Sequence, residues 1–417
     1  MSISQNFPTI DPTLRINFQG ARRLDSRITF TRSSTATYVG KDGLVKTAIA
    51  DEARFEHDPT TGESLGLLIE ESRSNLYTQS SDMNNSYWGP QNLIITPNAT
   101  IAPDGTNTAT LLVANTTNAV HYLKPNISIT TAVNTVSVFL KSNGDQYFMI
   151  RGDNQSNFCV FDLINGVIAS SSTLNSTSST MIAYPNGWYR CIVSYTPIST
   201  GSDPEFYLAN SSTYNTATFA GTGTNGVYIW GAQLEQGAFP TSYIPTSGSR
   251  VTRSADYASI TGTNFTSWYN STEGTAIIEV TPKGVSNALA YQTYFSFNSS
   301  SGTRWGMAHQ NELRGSYPSN AVLPYVGVDG LFSNTQEGNF TPNTTMKLAM
   351  HQPNGVNIQS SRDGEVVNVT STTRNPSINN LLLGGIISDN SHLMGHINKF
   401  TYYPERLTNA QLQTLTK

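Results

Sequence analysis

The sequence predicts an all-β chain: two β-sandwich (jelly-roll) domains in tandem, an extended N-terminal β segment and a short C-terminal helix. Three observations carry that expectation. Polar bulk comes from Ser, Thr and Asn instead of charge, since only 12% of the 417 residues are Asp, Glu, Lys or Arg. Such residues weaken helices and suit turns and the solvent faces of strands. Short β-branched and aromatic runs recur between turn signals, the spacing a sandwich produces. One stretch, Val227 to Asp256, divides the chain. It starts as a strand, passes Gly231 and Gly237, and becomes the Pro-punctuated strap Ala238 to Thr246. Its prolines bias the residues before them towards extended geometry. Phe239, Tyr243 and Ile244 are too apolar for a solvated linker, so the strap should be docked.

The elements follow in order. Residues 1–75 hold hairpin-like pieces: Leu14 to Phe18, Arg27 to Arg32, the turn Lys41-Asp42-Gly43, and the apolar run Leu65 to Ile69. They lack a large core of their own, so they should pack on a neighbouring domain or a partner chain. Residues 76–247 give the first sandwich, with strands at Thr110 to Val113, Thr135 to Leu140, Gln146 to Ile150, Phe158 to Leu163, Trp188 to Tyr195, Glu205 to Leu208 and Val227 to Trp230. Asn165-Gly166 between apolar runs is a hairpin signal. Residues 248–417 give the second sandwich, with strands at Gly274 to Val280, Met346 to Met350, Leu381 to Gly385 and Gly395 to Tyr403, and a hairpin turn at Asp363-Gly364. Thr408 to Gln411 is a capping box, with Leu407 able to staple onto Leu412.

Net charge is −4, and no Lys/Arg cluster forms a nucleic-acid footprint. No apolar run is long enough for a membrane helix, and no secretory signal is expected at the N-terminus. Aromatics at 10%, spread along the chain, argue against disorder.

The string WGAQLEQGAFPTSYIPT resembles a segment common in bacteriophage tail and other virion proteins, where it closes a carbohydrate-binding-module-like jelly roll. ITFTRSSTATYV and ARFEHDPTTGESLGLLIEESRSNL look like the N-terminal part of the same family. The Asn165-Gly166 hairpin and Asn186 to Cys191 are similar to pieces of family 4/9-type modules. The order of the second sandwich is similar to a concanavalin-A-like, laminin-G-like domain. The resemblance implies a non-enzymatic virion protein on the particle exterior, a tail fibre or tail-tip component binding host-surface polysaccharide or lipopolysaccharide. Other virion proteins would be its partners and a homotrimer its assembly. A capsid decoration or head-fibre subunit making only protein contacts is the alternative. Cytoplasmic assembly would leave Cys159 and Cys191 as buried thiols, with a disulfide as the other outcome if their strands are neighbours.

Candidate chemistry is sparse. No nucleophile-elbow, zincin or Walker A motif occurs. Glu70 and Glu71 are adjacent, so on a strand they face opposite sides, unlike a glycosidase pair. One of them should be exposed at a strand end. Arg151-Gly152-Asp153 reads as an ordinary turn after a strand. His392 and His396 flank a loop-to-strand junction, where they do not converge as metal ligands. No cofactor is expected beyond the structural calcium that the resemblance to these sandwich families implies; Asp104, Asp153, Asp162 and Asp329 lie in or near predicted turns, and no ligand set is assigned. Glycan binding needs ring faces with polar neighbours. Trp88, Trp188 and Trp230 fit core positions. Trp268, Trp305, Tyr317 and Tyr325 fall where Gly, Ser, Asn and Pro read as loops, with Arg304 and Asn311 beside Trp305. Those rings divide between core packing and recognition, and the second sandwich is the expected glycan reader.

Overall fold

Alternation of apolar and polar residues builds the sheets. In the computed structural model, residues 6–152, 156–175, 177–200, 204–214, 216–285, 291–300, 302–310, 320–328, 336–353, 358–369, 377–386 and 391–417 are described. The chain is all-β, with antiparallel sheets and short helices at Gly262–Thr266 and Asn409–Thr416.

Within residues 76–247, two six-stranded sheets face each other. Sheet I runs Ser178–Tyr184, Trp188–Tyr195, Asn134–Asn143, Gly226–Gln236, Ala109–Ala114, Leu93–Thr100. Sheet II runs Val167–Ser171, Phe158–Asp162, Tyr147–Arg151, Glu205–Ala209, Tyr122–Leu123, Pro90–Gln91. Val136, Val138 and Leu140 of sheet I meet Phe148, Ile150 and Phe206 of sheet II in the core, with Trp88 at one end. Cys159 and Cys191 are buried there as free thiols. The long strand Gly226–Gln236 changes phase at Gly231, whose φ is +63°, where its pairing with Asn134–Asn143 slips. That bulge lets both Ile229 and Ala232 face the core. The Asn165-Gly166 hairpin forms with a longer turn than the dipeptide implies. Asp162 caps it, accepting from the backbone N–H groups of Ile164 and Asn165.

Trp188 and Trp230 are buried on the opposite face of sheet I. They pack with Phe139, Tyr184 and Tyr243 beneath the hairpin of Ala36–Val39 and Val45–Ala48. The N-terminal segment thus roofs the first sandwich.

The same segment completes the second one. Sheet III runs Glu365–Val369, Ile358–Arg362, Met346–His351, Thr275–Pro282, Gly395–Tyr403, Ser64–Ile69, Phe55–His57, with Leu14–Asn17 also on Gly395–Tyr403. Sheet IV runs Thr29–Thr31, Tyr257–Thr261, Ile378–Leu383, Tyr291–Ser299, Thr303–Gln310, Val322–Val328. Leu14, Ile16, Leu67 and Ile69 belong to one core with Phe297, Trp305 and Phe400. Residues 1–75 are therefore not a separate unit, as the linear division at 75 and 247 expected. The first sandwich is inserted into the second, because the strand Gly395–Tyr403 needs partners on both edges and finds one set at the far end of the chain. The C-terminal helix carries its capping box, with Gln411 N–H donating to Thr408 Oγ1 and Thr408 N–H to Gln411 Oε1. Leu407 and Leu412 dock it on Ile277 and Ala349.

The junction holds a buried ionic network. Arg54 is fully enclosed and donates to Glu70 Oε2 at 2.7 Å and Asp256 Oδ2 at 2.5 Å. Arg32 reaches Asp256 Oδ1 at 3.1 Å. Glu70 also accepts from Ser242 N–H and Oγ–H, both in the strap. Arg253 donates to the Glu71 carbonyl, and Arg73 to the Glu71 carboxylate. Both adjacent acids are buried, Glu70 at 0% and Glu71 at 4%, which corrects the expectation that one is exposed. The strap is docked by these contacts: Thr241, Ser242, Tyr243 and Ile244 are buried, and Phe239 is half-buried beneath the Arg73 guanidinium.

A second cluster ties Phe55–His57 to the C-terminal sheet. Glu56 accepts from Lys283 at 3.0 Å and His396 Nε2 at 2.7 Å. Burial opposes the charge on Glu56, but Lys283 and the His396 hydrogen bond hold its carboxyl far below the usual range. Burial and Lys283 lower the His396 imidazole below its ordinary value, and its Nε2–H donates to the Glu56 carboxylate, which can only accept.

Burial would raise the Glu70 carboxyl as well, but Arg253 and Arg54 outweigh it and hold it well below its ordinary value of 4.5. A depressed carboxylate contributes stability that is complete above the unfolded value and lost as pH falls through the folded one. Urea unfolding should therefore show this contribution intact above pH 4.5 and declining below it. Glu70→Gln should cost about 3–5 kcal/mol at pH 7, because it strands a buried guanidinium. Its acid decline should be shallower than the parent's; an identical slope would show that Glu70 is not a source of the acid sensitivity.

Candidate functional site

The outer face of sheet II carries a cluster that hydrophobic burial within the sandwich does not require. Register places its rows. Tyr122, Tyr207, Met149 and Val160 stand side by side across four strands. The next row outward is Glu205, Arg151 and Phe158, and on the other side Ala209, Tyr147 and Asp162. Period-two alternation puts their neighbours Phe206, Ile150 and Phe161 in the core.

Met149 and Val160 form a dry floor, and Tyr207 is 5% exposed. Tyr122, Tyr147, Phe158 and Tyr214 are half-buried around them, with part of each ring open. Tyr122 stacks on Tyr207 with centroids 5.1 Å apart and planes at 28°. Phe158 meets Tyr214 at 4.8 Å.

Charge sits at one end of this surface. Arg151 pairs with Glu205 and lies over the Tyr207 ring, 5.1 Å from its centre. Tyr207 donates its hydroxyl to Glu205 at 2.6 Å, and exposed Lys124 approaches Glu205 at 3.3 Å. Burial and the Glu205 carboxylate both push the Tyr207 hydroxyl up, so it remains a donor. At the other end, Gln146 and Asn165 side-chain amides donate to Asp162. The result is a ring-lined surface with fixed hydrogen-bonding groups at both ends. It can stack the apolar face of a flat polyhydroxylated ring and bond its rim.

The residues expected from sequence lie elsewhere. Trp305 is in the strand Thr303–Gln310, 1% exposed and stacked on Phe297 at 4.2 Å. Tyr325 is 2% exposed and packs on Ala308 and Ile386, its hydroxyl bonded to the Phe295 carbonyl. Trp268 is 4% exposed against Phe265, its Nε1 donating to the Asn264 carbonyl. These rings are packed, not presented. The small residues around them mark close strand contact instead of loop: a Cβ at Gly306 would meet the Phe295 carbonyl oxygen at 2.1 Å. Arg304 is half-buried on the same strand as Trp305, and Asn311 and Tyr317 lie outside the described residues. Asp104 and Asp162 cap their own turns; Asp153 and Asp329 are outside the described residues. Among the described residues no group of His, Cys, Asp or Glu could hold a metal ion.

Sequence reasoning missed the sheet II surface, although a signal was available. YFMIR, FCVFD and EFYLA are apolar at consecutive positions, so both faces of those strands need cover or a partner.

No family model matches this chain, and no curated protein matches it either. Among solved structures, the CBM40 of the Ruminococcus gnavus IT-sialidase aligns at TM-score 0.30 and 13% identity, over 37% of this chain and 88% of that one. Domain 4 of AbnA, a GH43 extracellular arabinanase from Geobacillus stearothermophilus in complex with arabinotriose, gives TM-score 0.31 and 12% identity, over 43% and 82%. The Trypanosoma rangeli sialidase gives 0.29 and 8%, over 74% and 60%. Similarity this low carries no argument about this chain.

Trp305→Ala should cost about 3–5 kcal/mol, the range for emptying a large aromatic from a core. Thermal and urea melts test this; a variant as stable as the parent would mean that Trp305 is not packed as described.

Proposed function

We propose that this chain is a non-enzymatic glycan-binding protein on the outside of a phage particle, a tail fibre or tail-tip component that attaches to host-surface polysaccharide or lipopolysaccharide. The observation that carries the binding role is the outer face of sheet II, with half-open rings over a dry floor and polar groups fixed at either end. Side chains held by packing and by ion pairs lose little entropy when a ligand settles on them. The virion setting and a homotrimeric assembly rest on the sequence resemblance of the strap and the N-terminal strings. The non-enzymatic reading is supported by the use of Glu70 and Glu71 as partners of arginine.

Binding to whole host cells or to a glycan array tests the reading. Tyr122→Ala with Tyr147→Ala should weaken binding at least about tenfold, roughly 1.4 kcal/mol, with Tm little changed because both rings are half-open. Parent-like binding by that variant would remove the sheet II face as the site. Absence of binding by the parent to any host surface would favour a protein-contact role. Incubation with capsule or lipopolysaccharide should release no new reducing ends over time; sustained turnover abolished by replacing one acid would overturn the non-enzymatic assignment.

A further inference from the structure

A cleft of about 940 Å³ lies where the two sandwiches meet, and it shares no lining residue with the sheet II surface. The first sandwich contributes Gln236 and Gly237, the crossing strand Arg73–Asn75 contributes Arg73, and the second sandwich contributes Tyr257 and His392. Its volume falls within the range of small-molecule sites.

Three donors in it are left unused. Arg73 is 7% exposed, and its Nε and Nη1 are committed to Glu71 and the Gln236 carbonyl. Among the described residues, its Nη2 has no hydrogen-bond partner, and neither do the Tyr257 hydroxyl and the Gln236 amide. Gly237 keeps the Arg73 head in place: a Cβ there would meet Nη1 at 1.7 Å, so only glycine leaves room for it. Tyr257 stands edge-on to the His392 ring at 4.6 Å, giving one rigid aromatic wall. Ser33 and Ser254 hydroxyls, 2.9 Å apart, and exposed Ser72 add exchangeable donors and acceptors.

The charges in this cleft are balanced. Arg73 faces Glu71, and Asp51, on the rim, accepts from the Arg32 backbone. A strongly anionic ligand would meet Glu71 and Asp51, and a cationic one Arg73. A neutral ligand rich in hydroxyls fits both conditions: it can accept from Arg73, Tyr257 and Gln236 and donate to serine and aspartate oxygens. We infer that the cleft between the sandwiches is a second saccharide site, taking a short neutral oligosaccharide and bridging the two domains through Arg73, Gln236 and Tyr257. This inference stands apart from the sheet II reading, since no residue is shared.

The test uses the intact chain and four neutral probes, maltotetraose, cellotetraose, laminaritetraose and chitotetraose, by saturation-transfer NMR and calorimetry. Ser72→Trp fills the cleft from an exposed position, and Tyr257→Phe removes one donor with the ring retained. Binding of at least one probe should persist in the Tyr122→Ala, Tyr147→Ala double variant. It should fall at least about tenfold in Ser72→Trp and severalfold in Tyr257→Phe. If Ser72→Trp melts early, Tyr257→Phe decides. Probe binding lost in the double variant but indifferent to both cleft variants overturns the inference and leaves the sheet II reading standing. Binding lost only in the cleft variants upholds it, even where the sheet II variant binds cells like the parent. Failure of the parent to bind any of the four probes overturns the inference as stated, whatever the result with cells.

Discussion

Arg54 is fully buried, so its charge has to be met by the chain itself. A guanidinium in that position is tolerable only with carboxylates at bonding distance and most of its remaining protons satisfied. Glu70, Asp256, Ser242 and the Thr37 carbonyl take up Nη1 and Nη2 from four separate parts of the chain, while Nε is buried without a hydrogen-bond partner among the described residues. Arg32 pairs with Asp256 as well, and Arg253 with Glu70. Removing either acid leaves a buried arginine without a carboxylate, Arg32 for Asp256 and Arg253 for Glu70, so the network favours one relative arrangement of N-terminal segment, strap and both sandwiches. Its net contribution to stability need not be large; its cost when broken is what makes it specific.

The nested topology follows from the same demand. Strands from 14–69 and 257–403 share sheets III and IV, while 76–247 folds between them. The strap leaves the inserted sandwich and returns directly over the strands that preceded it. Gln233 and Glu235 pin it from within, taking Ile244 N–H, Thr241 N–H and Thr241 Oγ–H. The final strand, Gly395–Tyr403, must pair with segments made some 330 residues earlier, a contact pattern that closes slowly. Trp188 and Trp230 belong to this logic too, since they seal sheet I against the N-terminal hairpin instead of reading a ligand.

Recognition surfaces are then what remains after these obligations are met. Among the described residues, the sheet II outer face carries no hairpin comparable to that on sheet I, and its rings are half-open. The interdomain cleft borders the ionic network, so its polar groups are held by neighbours with little freedom to move. A rigid polar rim and a rigid aromatic wall lower the ordering cost that weak saccharide contacts must overcome.

Local pattern determined much of this protein. The strands Trp188–Tyr195 and Gly395–Tyr403, the Asp363-Gly364 turn, the docked strap and the capping box at Thr408 were legible because each depends on neighbours a few residues apart. The all-β class followed from composition for the same reason. Tertiary structure alone decided which strands share a sheet, and so turned an N-terminal segment into part of the last domain. It also decided which aromatics are open. Trp305 sits among Gly, Ser and Arg, a setting that leaves core packing and recognition both open, and Phe297, from a neighbouring strand, covers it. Tyr147 falls in a strand read from the sequence, yet it and Tyr122 are only half-buried among the described residues. Exposure is a property of what lies across the sheet, and a residue's own neighbours in sequence do not contain that information.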